Sequence, residues 1–218
     1  MVWVFDAYGT LWDVGCIEAA VAQARVPDSN RFLSLWRQKQ LEYAFLRTLT
    51  GHYAPFSLVT RDALQYTLET VGVTLTANQE AALLDAWFHP QAFGDAKELL
   101  ASLKGEGRWI LSNGDPAMLD AGVDATGLRG CLEGYVSVDQ VQRYKPHPET
   151  YRLAVAVAQA SPEEVVFVSS NAWDVAGAAR FGFRTVWVNR TGAALDRLGV
   201  EPWRVVPSLA AVKDRGCR

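Results

Sequence analysis

Hydrophobic and polar positions follow two regimes along the chain. Val2 to Phe5 are all apolar; the run stops at a carboxylate, Asp6, and Ala7, Tyr8 and Gly9 then turn the chain away. A short apolar run bounded by turn residues predicts a buried strand. Asp6 itself is open to two readings. It caps the segment that follows, as Asp often does, or it is a charge delivered to a strand end, where open α/β sheets bind ligands.

After Leu11 the pattern becomes helical, with no clear strand between residues 14 and 87. In residues 31–50 the apolar positions Phe32, Leu35, Trp36, Leu41, Phe45 and Leu49 recur mostly at steps of three and four. Arg37, Leu41 and Phe45 therefore share one helix face. An arginine there is either a snorkelling neighbour of the core or a buried anion binder, and the pattern alone favours the first. Further helices are predicted at 56–71 and 77–87, with Thr76 as N-cap.

From residue 95 onward helices and strands alternate. Helices are predicted at 96–104, 116–123 (Asp115 as cap and Pro116 in its first turn), 149–159 and through Ala178. Ser161 and Glu164 form a further helix-start signature. Strands are predicted at 109–111, 135–137, 165–168 and 185–188, and a short last helix after Pro207. Repeated β-α units imply a Rossmann-like parallel sheet with helices on both faces. The expected layout is an α/β core of residues 1–13 and 94–218 with an all-α cap, 14–93, inserted after the first strand.

The 218 residues carry a net charge of −3 and no basic stripe, which argues against nucleic-acid binding. No apolar segment is long enough to span a membrane, and Asp6 interrupts the first apolar run too early for a signal peptide. Cys16, Cys131 and Cys217 are odd in number and widely separated, neither a disulfide framework nor a metal pattern. A cytoplasmic protein is expected. The amphipathic cap helices offer a face for a homodimer. His52, His89 and His147 have no ligand spacing and are expected in loops or at the surface.

Four predicted strands lead into polar clusters: Asp6; Ser112 and Asn113; Lys145; and Ser169 to Asp174. In a parallel sheet these ends share one edge, so the clusters converge. The chemistry then follows from residue type. Asp6 is an oxygen nucleophile or a metal ligand. Ser112 and Asn113, with the N–H groups of the following helix, suit an anion. Two anions ~4 Å apart repel by about 4 kcal/mol at an effective dielectric of ~20. An anionic substrate beside Asp6 thus needs a cation, for which Lys145 and Arg37 are the candidates.

These stretches (residues 5–11, Ser112-Asn113-Gly114, Tyr144-Lys145-Pro146 and residues 168–174) resemble, in order, the four motifs of the haloacid dehalogenase superfamily. Residues 35–43 are similar to the cap signature of the L-2-haloacid dehalogenases. Most of the superfamily are Mg²⁺-dependent phosphatases, and two departures point away from them. Tyr8 stands where a phosphatase carries a second Asp that protonates the leaving alcohol; a halide needs no proton. Ser170 stands where the first Mg²⁺-binding Asp of the fourth motif would be.

The resemblance implies a metal-free and cofactor-free hydrolysis of short L-2-haloalkanoic acids to D-2-hydroxy acids through an ester on Asp6. It further implies that Arg37 meets the halide and that Ser112 takes the substrate carboxylate. Asn113, Tyr8, Leu41, Phe56 and Trp173 would wall the pocket. Thr10, Lys145, Ser169, Asn171 and Asp174 would position Asp6 and the hydrolytic water, supported by Tyr151. The runner-up readings are an atypical phosphatase, or a relative acting on fluoroacetate or azetidine carboxylate.

Overall fold

The computed structural model describes residues 1–213; Cys217 lies outside them. The chain opens with β1 (Val2–Phe5), turns, and pairs a two-residue strand β2 (Trp12–Asp13) with β3 (Gln91–Ala92). Between these two strands lie four helices: α1 (Gly15–Gln23), α2 (Ser29–Thr50), α3 (Phe56–Val71) and α4 (Ala77–Asp85). The chain then alternates: α5 (Ala96–Ser102), β4 (Gly107–Ser112), α6 (Pro116–Ala125), β5 (Gly134–Ser137), α7 (Pro148–Ala158), β6 (Val165–Ser169), α8 (Ala172–Phe181), β7 (Arg184–Val188) and β8 (Arg204–Val206).

The main sheet has the order β5-β4-β1-β6-β7-β8, and each of its pairings is parallel. β1 is central, with Phe5 opposite Ile110 on one side and Val168 on the other. The chain builds outward from β1 through β4 to β5 and then crosses to β6 on the other side, so the crevice at the carboxyl end of β1 is the switch point where such sheets bind ligands. Val4, Phe5, Ile110, Leu111 and residues 165–168 are buried, as expected of a sheet covered on both faces.

Local sequence explains the ends of these elements. Thr76 and Gln79 form a reciprocal capping box at the start of α4. Asp115 caps α6, with Pro116 at the first helical position. Gly51 and Gly72 close α2 and α3 in the left-handed conformation.

Four points of the predicted layout need correction. Ser161 and Glu164 do form a capping box, but it opens only a 3₁₀ turn, Pro162–Glu164, because the β-branched run from Val165 immediately enters the sheet. The β pattern does not stop at Leu11: β2 and β3 form a ribbon where the chain enters and leaves the helical insert. Strand β8 was not predicted either, being three residues at a sheet edge with one of them exposed. The last helix after Pro207 is a 3₁₀ segment, Leu209–Lys213. Among the described residues no helix is long and apolar enough to cross a membrane.

Candidate active site

Asp6 follows β1 directly and is buried. Its two carboxylate oxygens are held differently. Oδ1 accepts from the Lys145 ammonium at 2.8 Å. Oδ2 accepts from Asn171 Nδ2 at 2.8 Å, Thr10 Oγ1 at 3.1 Å and Ser169 Oγ at 3.3 Å. Each donor comes from a different part of the edge: the turn after β1, the last residue of β6, and the cap position of α8. Gly9 makes the turn possible, with a φ of +81° that other residues rarely adopt.

Lys145 is 1% exposed, and its ammonium also donates to Asp174 Oδ2 at 2.6 Å and to the Leu111 carbonyl at 3.0 Å. All three ammonium protons are thus used. Burial pushes this ammonium down, but Asp174 and Asp6 together outweigh it and hold it above the ordinary lysine range. Asp174, fully buried in the first turn of α8, is pushed up to about 6, chiefly by burial. Lys145 and Tyr151 draw it down, Asp6 raises it, and the net displacement is upward.

Tyr151, on α7, donates to Asp174 Oδ1 at 2.8 Å. Gly177 on α8 permits this approach, since a Cβ there would lie 2.5 Å from the Tyr151 hydroxyl. Tyr151 therefore stands behind the site, where its hydroxyl reaches Asp174.

A small cavity in front of Asp6 is lined from below by Ser112, Asn113, Lys145 and Asn171, and from the helical insert by Arg37, Leu41 and Phe56; Tyr8 and Trp173 complete it. Its volume is about 20 Å³, on the order of one water. Thr10, Ser169 and Asp174 sit behind this lining and act through hydrogen bonds. Asn113 has a second task, since its side-chain oxygen accepts the Lys145 backbone N–H at 2.9 Å. The N-termini of α6 and α8 face the same edge and add partial positive charge.

Arg37 is an anion-facing group rather than the snorkelling one that its pattern alone favoured. Burial lowers its guanidinium from the usual arginine value, and the negative charge of Asp6 partly offsets this. The guanidinium stacks 5.6 Å from the Trp87 ring centre and donates to Gln40 Oε1. Gln40 in turn donates to Thr60 Oγ1 at 2.7 Å, and Thr60 to the Phe56 carbonyl at 2.7 Å. Gln40 and Thr60 escaped the sequence reading. Gln40 lies three residues after Arg37, on the same face of α2, and that spacing was the available signal.

The donor set does not fit Mg²⁺, which requires several oxygen ligands around one point. The Tyr8 hydroxyl is committed to the Trp87 carbonyl at 2.8 Å. Ser170 Oγ shares a hydrogen bond with Thr10 Oγ1 at 3.2 Å, and Lys145 lies between the two carboxylates. No group of three or more His, Cys, Asp or Glu side chains among the described residues could hold a metal. His52 and His89 are exposed, and His147 caps α7.

The model of the haloacid dehalogenase-like hydrolase family matches residues 1–182. A curated (S)-2-haloacid dehalogenase of Pseudomonas sp. (strain YL) is 42% identical over 95% of this chain and 90% of its own length. Haloacetate dehalogenase H-2 of Moraxella sp. (strain B) is 39% identical, over 95% and 94%. The solved L-2-haloacid dehalogenase of Xanthobacter autotrophicus with chloropropionic acid covalently bound superposes with a TM-score of 0.90, at 38% identity and with 97% and 96% of the chains covered.

Proposed function

The chain belongs to the haloacid dehalogenase-like hydrolases, and from that membership we propose that it removes halide from short L-2-haloalkanoic acids to give D-2-hydroxy acids. The single observation that carries the proposal is the asymmetric hold on Asp6. Oδ1 has one donor, whereas Oδ2 faces three.

Oδ1 is the attacking atom. Its lone pairs form a bond to C2 of the substrate on the face opposite the halide; the carbon–halogen pair leaves with the halide, and C2 inverts. Charge is conserved, as one carboxylate becomes a neutral ester and the halide departs as an anion beside Arg37. Ser112 and the adjacent backbone take the substrate carboxylate. Holding both partners in line supplies the rate, for which effective molarities of about 10⁵–10⁸ M are known in model reactions.

Hydrolysis then falls on the ester carbonyl. Water adds to Cγ of Asp6 while Oδ2, now the carbonyl oxygen, collects negative charge under Thr10, Ser169 and Asn171. Collapse expels the C2 oxygen, which takes a proton to become the product hydroxyl. The second water proton is released as the Asp6 carboxylate re-forms. Preorganised donors of this kind are among the largest contributions to acyl-transfer catalysis.

Tyr8 and Ser170 favour a metal-independent reaction, since neither can replace the carboxylate that a phosphatase needs at its position. The Moraxella relative supports haloacetates as a second substrate class. Halide release from L- and D-2-chloropropionate and from chloroacetate, with and without EDTA, tests both points. Release from the L-acid, unaffected by EDTA, is expected; activity confined to phosphate esters and abolished by EDTA would overturn the proposal. In ¹⁸O water, a single turnover should place label in Asp6 rather than in the product.

A further inference from the structure

The chamber in front of Asp6 adjoins a second, larger cavity. The two share Tyr8, Arg37 and Asn171 as lining residues, so these three side chains are what stands between them. The larger one has a volume of about 370 Å³, against about 20 Å³ for the chamber. That places it within the ~300–1,000 Å³ of small-molecule sites. Its walls are Val14, Ile17, Leu33, Trp36 and Trp87.

The polar atoms of two aromatic side chains at this cleft are already committed. Trp36 donates its indole N–H to the Thr60 carbonyl, and Tyr8 its hydroxyl to the Trp87 carbonyl. Their ring faces, and not their donors, are what remains for a ligand. Ser34 and Glu18, both exposed, complete the rim. A carboxylate at the rim disfavours an anionic tail.

Resting on the dehalogenase reading, we infer that this cleft is a subsite for the alkyl chain of longer unbranched 2-haloalkanoic acids with an uncharged tail. A chamber of about 20 Å³ leaves no space for an extended alkyl chain. With C2 over Asp6, carbons from C4 onward have to pass between Tyr8, Arg37 and Asn171, and beyond them they meet apolar walls. The reaction at C2 is unchanged.

The test is a chain-length series, (S)-2-bromopropionate to (S)-2-bromooctanoate, followed by halide release, with inhibition by the matching D-2-hydroxy acids measured on the same enzyme. The inhibition constant should fall about fourfold per added methylene, the equivalent of ~0.8 kcal/mol for each buried CH₂. In Ser34→Trp, which fills the cleft from its exposed rim, the octanoate-to-propionate ratio of kcat/KM should drop at least tenfold. Inhibition constants that are flat or rise with chain length in the wild type overturn the subsite. So does a Ser34→Trp enzyme that loses short and long substrates in equal proportion. The inhibition series needs no variant and stands even if Ser34→Trp fails to fold. Absence of halide release from every acid, 2-bromopropionate included, would instead remove the dehalogenase reading itself.

Discussion

Asn171 donates from Nδ2 to Asp6 Oδ2 across 2.8 Å, and it shares that oxygen with Thr10 and Ser169. The arrangement separates the two half-reactions. In the proposed reaction, attack on C2 uses Oδ1, whereas ester hydrolysis develops charge on Oδ2. Asn171→Ala should therefore slow hydrolysis more than ester formation. Loss of one donor aimed at a developing oxyanion costs about 10²–10³ in rate. Stopped-flow halide release should show a burst of about one equivalent followed by a slow steady state, with the mass of the ester visible on the protein. A linear trace with no trapped ester would remove Asn171 from the second step.

Asp174 sets a pH dependence whose two consequences run in opposite directions. Its carboxyl is pushed up to about 6 from an ordinary 3.8, chiefly by burial. The folded protein thus takes up this proton before the unfolded chain does. Through this group, stability is fullest below the unfolded value of 3.8 and is lost as pH rises through about 6. Activity follows the other sign, because protonation removes the charge that balances Lys145 against Asp6. The acid limb of kcat/KM should lie near 6, while near-UV circular dichroism at about pH 5 still reports a native fold. Full activity maintained to about pH 5 would show that the Asp174 charge is dispensable.

Gln40 links two walls of the chamber, accepting from Arg37 and donating to Thr60, whose hydroxyl reaches the Phe56 carbonyl. It is a positioning residue for Arg37. Gln40→Leu keeps the volume and removes both bonds, and hydrogen bonds to charged groups contribute about 1.5–3 kcal/mol. A fall of roughly 10- to 100-fold in kcat/KM is expected on that basis. Because halide charge develops in the transition state, kcat should carry most of it. A purely structural role would lower thermal stability and leave kcat intact, so kcat, KM and Tm on the same preparation separate the two.

The parts of this site that were legible in the sequence are those that sit at strand ends. Asp6, Ser112 and Ser169 each terminate or follow an apolar run, and a parallel sheet brings such ends to one edge without any further information. Helix boundaries marked by Thr76 and Asp115 were legible for the same local reason. What escaped was set by tertiary partners. β2 and β3 are two residues each and exist because they pair with one another. Gln40 and Thr60 are ordinary polar helix residues until α2 and α3 pack and bring their side chains to 2.7 Å. Arg37 shared an apolar face with Leu41, and only the placement of that face over Asp6 turned it from a snorkelling group into an anion-facing one.

Tyr8 provides the sharpest distinction between cleavage at carbon and cleavage at phosphorus. Its hydroxyl donates to the Trp87 carbonyl at 2.8 Å, and its ring packs edge-on against Trp12 with centres 5.0 Å apart. Burial, reinforced by the negative charge of Asp115, holds this phenol well above the ordinary tyrosine range. The proton is thus both spoken for and hard to release. Tyr8→Phe deletes the hydroxyl and leaves the Trp87 carbonyl without that partner, a loss of about 1–3 kcal/mol in stability. Turnover of a 2-haloacid should nevertheless survive within about tenfold, because a general acid would be worth ~10²–10⁴ and this step uses none. Halide release by purified Tyr8→Phe, alongside urea unfolding to measure the stability loss, checks both halves. A collapse of kcat by three orders of magnitude in a folded variant would mean that the phenol delivers a proton, and the metal-free displacement at C2 would have to be abandoned.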